Sequence, residues 1–146
     1  MKEVIPYFDR IQNSLRIVIN KMQPKLLESM KALGVTSTQL FVLGYLKKQG
    51  SCKVTQLAEM MDVKPSAVTL LVDRLEENGL VLREHDKKDR RVVNISLTEH
   101  GDEKLKKVME ERKAIGEQYL SHLTEEELLV MATLTEKLAQ VVNVEN

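Results

Sequence analysis

The chain has no tryptophan, only three tyrosines and two phenylalanines in 146 residues. So few rings argue against a surface on which single-stranded DNA or RNA bases would stack. Cys52 is the only cysteine, which excludes an intrachain disulfide and fits a reducing compartment. The six glycines are scattered, with no phosphate-cradling loop, and no nucleophile is grouped with a base, so nothing points to an enzyme. His85, His100 and His122 fall on different elements without metal-ligand spacing, so neither a metal nor another cofactor is expected. No apolar run approaches the roughly 18 residues needed to cross a bilayer. The opening MKEVIPYFDR has no apolar stretch of the secretory type. The expectation is a soluble, cytoplasmic protein.

Net charge is also missing, since 22 Lys and Arg balance 22 Asp and Glu. The balance is not local. Residues 1–98 carry 16 basic against 11 acidic side chains, and residues 99–146 carry 6 against 11, so a +5 portion adjoins a −5 portion. A basic part that meets nucleic acid beside an acidic helical part used for assembly would have this form, as would many unrelated proteins.

What is present is helical periodicity. Phe8, Ile11, Leu15, Val18, Met22, Leu26, Met30 and Leu33 recur at helix spacing from Tyr7 to Leu33, closed by Gly34. Pro24 lies inside that run and predicts a kink. Thr36 and Gln39 make a capping box for a helix running to about Gln49, ended by Gly50. Ser51 to Lys53 reads as a link. Val54, Leu57, Ala58 and Met61 then mark a short amphipathic helix. Pro65 suits the first turn of another, running to about Asn78 and stopped by Gly79. Leu80–Leu82 and Val92–Leu97 read as strands around a charged loop, His85 to Arg90. Thr98 caps a connecting helix of thin apolar content. Thr124 and Glu127 form a second capping box, which accounts for the carboxylates there; the helix it starts carries Leu128, Met131, Leu134, Leu138 and Val141 on one side.

Two short helices joined by a tight turn and followed by a β-hairpin describe a winged helix-turn-helix. The fold expected is mainly α with a small β-hairpin wing, flanked by a helical dimerisation region drawn from both termini. Its parts are 36–98 for the reading unit, 99–119 for the connecting helix, and 1–35 with 120–146 for dimerisation. In the second short helix Val68, Leu71, Val72 and Leu75 form the buried stripe. Pro65, Ser66, Ala67, Thr69, Leu70 and Asp73 lie outward, and Arg74 sits at the border. Small and hydroxyl side chains there permit close approach to a major groove. The same face would equally suit an ordinary solvated helix. The hairpin loop, with Lys87, Lys88, Asp89, Arg90 and Arg91, shifts the balance: a cationic wing after such a helix can follow the backbone and enter a minor groove.

The sequence resembles the MarR-type (multiple antibiotic resistance regulator) transcription factors over nearly its whole length. Asp89-Arg90-Arg91-Val92-Val93-Asn94-Ile95-Ser96-Leu97-Thr98 matches the family's D-x-R-x-x-x-x-x-L-T wing signature. Pro65-Ser66-Ala67-Val68-Thr69, Val72-Asp73-Arg74-Leu75-Glu76 and Gly79-Leu80-Val81 match in the correct order. The resemblance implies that Arg91 enters the minor groove with Asp89 orienting its guanidinium, and that Lys88 and Arg90 touch phosphate. Leu70 departs from it, standing where many relatives carry a polar or basic residue, and favours contact with a thymine methyl.

The partners so implied are palindromic double-stranded DNA, a second copy of the chain, and a small lipophilic or phenolic effector that releases the DNA. Met22, Met30, Met60 and Met61 could line an adaptable cavity, although methionine at helical spacing is ordinarily core. Cys52, beside Lys53, offers an alternative as a redox sensor if the lysine lowers its pKa. A second alternative is a winged helix that binds protein without touching DNA, for which Asp73 and Glu77 leave room and against which Arg90 and Arg91 count.

Overall fold

Helix boundaries in the computed structural model, which describes residues 3–144, follow the capping signals closely. The elements are α1 (Ile5–Ala32), α2 (Ser37–Gln49), β1 (Ser51–Lys53), α3 (Val54–Met61), α4 (Pro65–Glu77), β2 (Val81–His85), β3 (Val93–Leu97), α5 (Glu99–Leu120) and α6 (Glu125–Val144). Thr36 Oγ1 accepts from the Gln39 amide and Gln39 Oε1 from the Thr36 amide, both at 3.1 Å. Thr124 and Glu127 repeat the exchange at 3.2 and 2.9 Å. Each box satisfies two donors that the first helical turn leaves without partners.

α1 ends in a Schellman turn. Gly34, at φ +73°, lets its own amide reach the Lys31 carbonyl and the Val35 amide reach the Met30 carbonyl, both at 3.0 Å. That bond draws Val35 against the last turn, and both Val35 and Met30 are 3 % exposed. The helix begins two residues earlier than its periodicity suggests and passes through Pro24 without interruption, so the expected kink does not divide it.

The three-residue link is a strand. β1 pairs antiparallel with β3, Cys52 opposite Ile95, and β3 pairs with β2, giving the order β1-β3-β2. Three residues are too few to show alternation, which is why the sequence reads there as a linker. β2 also runs on through Arg83, Glu84 and His85, whose register against Ile95, Asn94 and Val93 continues the ladder. His85 thus belongs to the strand and not to the expected loop, since backbone pairing on an exposed ribbon does not require apolar side chains.

These elements enclose one core of Val42, Leu43, Leu46, Leu57, Val68, Val72, Leu75, Val81, Ile95 and Val108, each 0–2 % exposed. Each such side chain withdrawn from water contributes about 1.5–3 kcal/mol. The α4 stripe is therefore as expected at Val68, Val72 and Leu75, with Leu71 half-buried. α5 joins the core through Leu105 and Val108, and Gly101 is required there: a Cβ would lie 1.9 Å from the Leu80 carbonyl oxygen. Lys104 Nζ donates to the Leu33 carbonyl at 3.0 Å, and Lys47 pairs with Asp102 at 2.6 Å.

The chain divides into two compact units, one up to Arg112 and one from Lys113 onward. The first two-thirds of α1 leaves Phe8, Ile11, Leu15 and Val18 exposed at 46–57 %. α6 buries no residue within the single chain, leaving Leu134, Leu138 and Val141 open.

Candidate nucleic-acid interface

α3 and α4 are joined by a turn that places Asp62 in the left-handed region at φ +53°. The Val63 amide reaches the Ala58 carbonyl at 3.1 Å, so this is a second Schellman turn made without glycine. Asp is among the residues that tolerate this conformation. Pro65 then opens α4 with its φ already suited to the helix.

Pro65, Ser66, Ala67, Thr69, Leu70 and Arg74 are all exposed along α4. Thr69 donates its hydroxyl to the Pro65 carbonyl at 3.0 Å. Arg74 lines a groove of about 390 Å³ with Thr36, Thr38, Val63, Ala67 and Leu70. Asp73 differs from its neighbours. Its carboxylate is taken by Arg83 Nη2, whose Nε and backbone amide bind Glu76 at 3.3 and 3.2 Å. The two carboxylates, Asp73 first, hold the Arg83 guanidinium even more firmly protonated than usual. Arg83 thus ties the base of the wing to α4. Asp73 and Glu76, three apart, share a helix face that calls for a cation, which is the one local signal of this contact. The cation's position across a turn could not be read from spacing.

The wing loop is organised by Asp86. It accepts from the Lys88 amide at 2.8 Å, the Asp89 amide at 3.4 Å and Asn94 Nδ2 at 3.3 Å. These bonds, led by the Lys88 amide, hold its carboxyl below the usual carboxylate range, with Lys53 adding a smaller electrostatic pull. His85 donates from Nδ1 to the Arg90 carbonyl at 2.8 Å, since a carbonyl can only accept. Asp89 Oδ1 accepts from the Arg91 amide at 3.1 Å and from its Nε at 3.3 Å, so the Asp89–Arg91 contact the resemblance implies is present. The Arg91 side chain is 92 % exposed, while Lys87, Lys88 and Arg90 are also open. Between wing and helix, Lys53, Thr69, Arg83 and Arg91 line a second groove of about 380 Å³. Lys53, Arg83 and Asp86 are members of this surface that the motif did not identify.

The redox alternative loses its footing. Cys52 is 3 % exposed opposite Ile95, and burial pushes its thiol up to about 11. Lys53 does not lower it, because desolvation of the thiolate outweighs an exposed cation. The methionines do not behave alike: Met30 is core, Met60 is exposed, and Met61 lines the groove beside α4. Among the described residues no three His, Cys, Asp or Glu side chains group as metal ligands, and no helix is long and apolar enough to cross a membrane.

The family model described as MarR family matches residues 35–93. The HTH-type transcriptional repressor MdtR of Bacillus subtilis (strain 168) is 55% identical over 140 residues, 96% of this chain and 90% of that protein. The crystal structure of the YusO protein from Bacillus subtilis superposes with a TM-score of 0.83 at 55% identity, covering 95% of this chain and 99% of that one. A mutant of S. aureus MepR bound to an oligodeoxyribonucleotide superposes with a TM-score of 0.72 at 27% identity, over 90% of this chain and 97% of that one.

Proposed function

The chain belongs to the MarR family, and we propose that it is a transcriptional repressor that binds palindromic double-stranded DNA as a homodimer in the cytoplasm. The name of MdtR supports repression, and the oligodeoxyribonucleotide on MepR supports a DNA partner. The observation that carries the reading is the wing. Arg91 is almost fully exposed, yet its amide and Nε are both held by Asp89, so a cation is presented to solvent in a limited range of orientations. Such an arginine suits a narrow minor groove of enhanced negative potential. Lys87, Lys88 and Arg90 would contact phosphate, while Pro65, Ser66, Ala67, Thr69, Leu70, Asp73 and Arg74 form the face of α4 that enters the major groove. Asp73 serves there through Arg83.

Affinity requires two such units. One makes few phosphate contacts and would bind weakly, whereas a two-fold pair spans half-sites about 34–36 Å apart. The exposed apolar faces of α1 and α6 supply the means of pairing, with residues 1–35 and 120–146 as the dimerisation region, 36–98 as the reading unit and 99–119 as the connection. The protein acts by occupying DNA rather than by catalysis, and a small lipophilic or phenolic effector releases it.

A titration of duplex binding against salt tests this. The wild-type protein loses affinity steeply as salt rises. Arg91→Ala removes one phosphate-groove cation per protomer and makes the logarithmic slope shallower by about 1.8 for the dimer. Duplex binding that is indifferent to salt would sink the proposal.

A further inference from the structure

Three polar side chains of α4, at Thr69, Asp73 and Glu76, are engaged within the chain. Thr69 gives its hydroxyl proton to the Pro65 carbonyl, and Asp73 and Glu76 are bound by Arg83. A carboxylate reads a base by accepting from cytosine N4, and one already holding a guanidinium has less capacity to do so. Between these groups stands Leu70, 58 % exposed, with exposed Ala67 on the same helix and Val63, 42 % exposed, across the shared groove. Single exposed apolar side chains are commonplace. Here Leu70 and Ala67 adjoin on one helix face with Val63 across the groove, and the carboxylates of that helix at Asp73 and Glu76 are ion-paired with Arg83. The apolar feature that a major groove presents is the C5-methyl of thymine.

We infer that α4 reads its operator through thymine C5-methyl groups seated against Leu70, with Arg83 acting as a positioning residue that keeps Asp73 and Glu76 out of base recognition. This rests on the reading above that α4 enters the major groove. It assigns a chemistry to the specificity: the half-site carries a thymine beneath Leu70, and loss of its methyl alone weakens binding.

The test uses full-length protein and a duplex enriched by it from random sequences. Deoxyuridine replaces thymine at one symmetric pair of positions at a time, which removes the methyl and preserves base pairing. One such pair weakens wild-type binding by about fifteenfold, roughly fourfold for each of two methyl groups withdrawn from contact. The same replacement leaves Leu70→Ala unaffected, and this variant keeps its fold because the position is exposed and alanine favours helix. If no position weakens the wild type, or if Leu70→Ala responds equally, the inference is wrong even though DNA is bound. If no duplex shows salt-dependent binding, the DNA-binding reading itself falls and takes the inference with it. A second variant examines Arg83. Selection with Arg83→Gln brings up a cytosine preference where the wild type shows none, while a uniform loss of affinity with unchanged preference overturns the masking role.

Discussion

The reading unit and the terminal helices treat their apolar stripes in opposite ways. In α2, α3 and α4, Leu43, Leu57 and Leu75 are sealed to 0 % exposure within one chain. In α6, Leu134 and Leu138 stand 56 % and 64 % exposed, and α1 leaves Ile11 at 57 %. Both sets have helical spacing, so periodicity alone does not distinguish them. The difference lies in what surrounds them. The reading unit has helices and a sheet on every side of its stripe, whereas α6 finds no cover in its own chain. One region closes its apolar stripe within the chain, and the other leaves its stripe uncovered.

That contrast breaks most visibly at α6. Leu134→Glu combined with Leu138→Glu yields a monomer by sedimentation velocity with helical content retained. Its affinity for the enriched duplex falls by on the order of 10³-fold, the gap between specific and non-specific binding. A folded dimer that still bound tightly would remove the distinction between the two regions. A pair of alanine variants sharpens it. Leu57→Ala costs about 2–5 kcal/mol in urea unfolding through the lost burial and the cavity left behind. That loss does not change with protein concentration once the dimer term is matched, whereas the loss from Leu138→Ala does, because association is linked to folding by mass action.

The smallest effect probes how dry the reading unit is. The Cys52 thiol is raised from 9.0 to about 11, so the folded state holds its proton where the unfolded chain has released it. The stability this represents is fully present below pH 9 and is lost as pH rises from 9 towards 11. Cys52→Ala flattens that decline in thermal melts. In the wild type at neutral pH the thiol reacts with iodoacetamide only as fast as the fold opens. Rapid labelling of the native protein would restore the redox alternative.

Much of this is legible in the sequence. Thr36 with Gln39, Thr124 with Glu127, and the glycines at 34, 50 and 79 are local signals whose physics is complete within a turn of chain. Asp89 and Arg91 are two residues apart, so their contact was also within reach of a motif. Arg83 was not legible, because its partners lie 7 and 10 residues back and become neighbours only when α4 and β2 fold together. β1 was hidden for a related reason: its identity rests on pairing with Ile95, far along the chain.

One small junction limits how the chain can change in length. The Thr98 hydroxyl donates to the Gly79 carbonyl at 2.5 Å and accepts from the Gly101 amide at 2.9 Å, while the Thr98 amide donates to Leu80 at 3.1 Å. The end of α4, the foot of the wing and the start of α5 therefore meet at a single residue. With five residue pairs in register above it, an added or deleted residue at the foot would shift every pair in the ladder. Insertions that spare the ladder fall between Asp86 and Arg91, at the cost of the turn bonds that Asp86 makes to the Lys88 and Asp89 amides. The reach of the wing is thus adjustable at its tip alone.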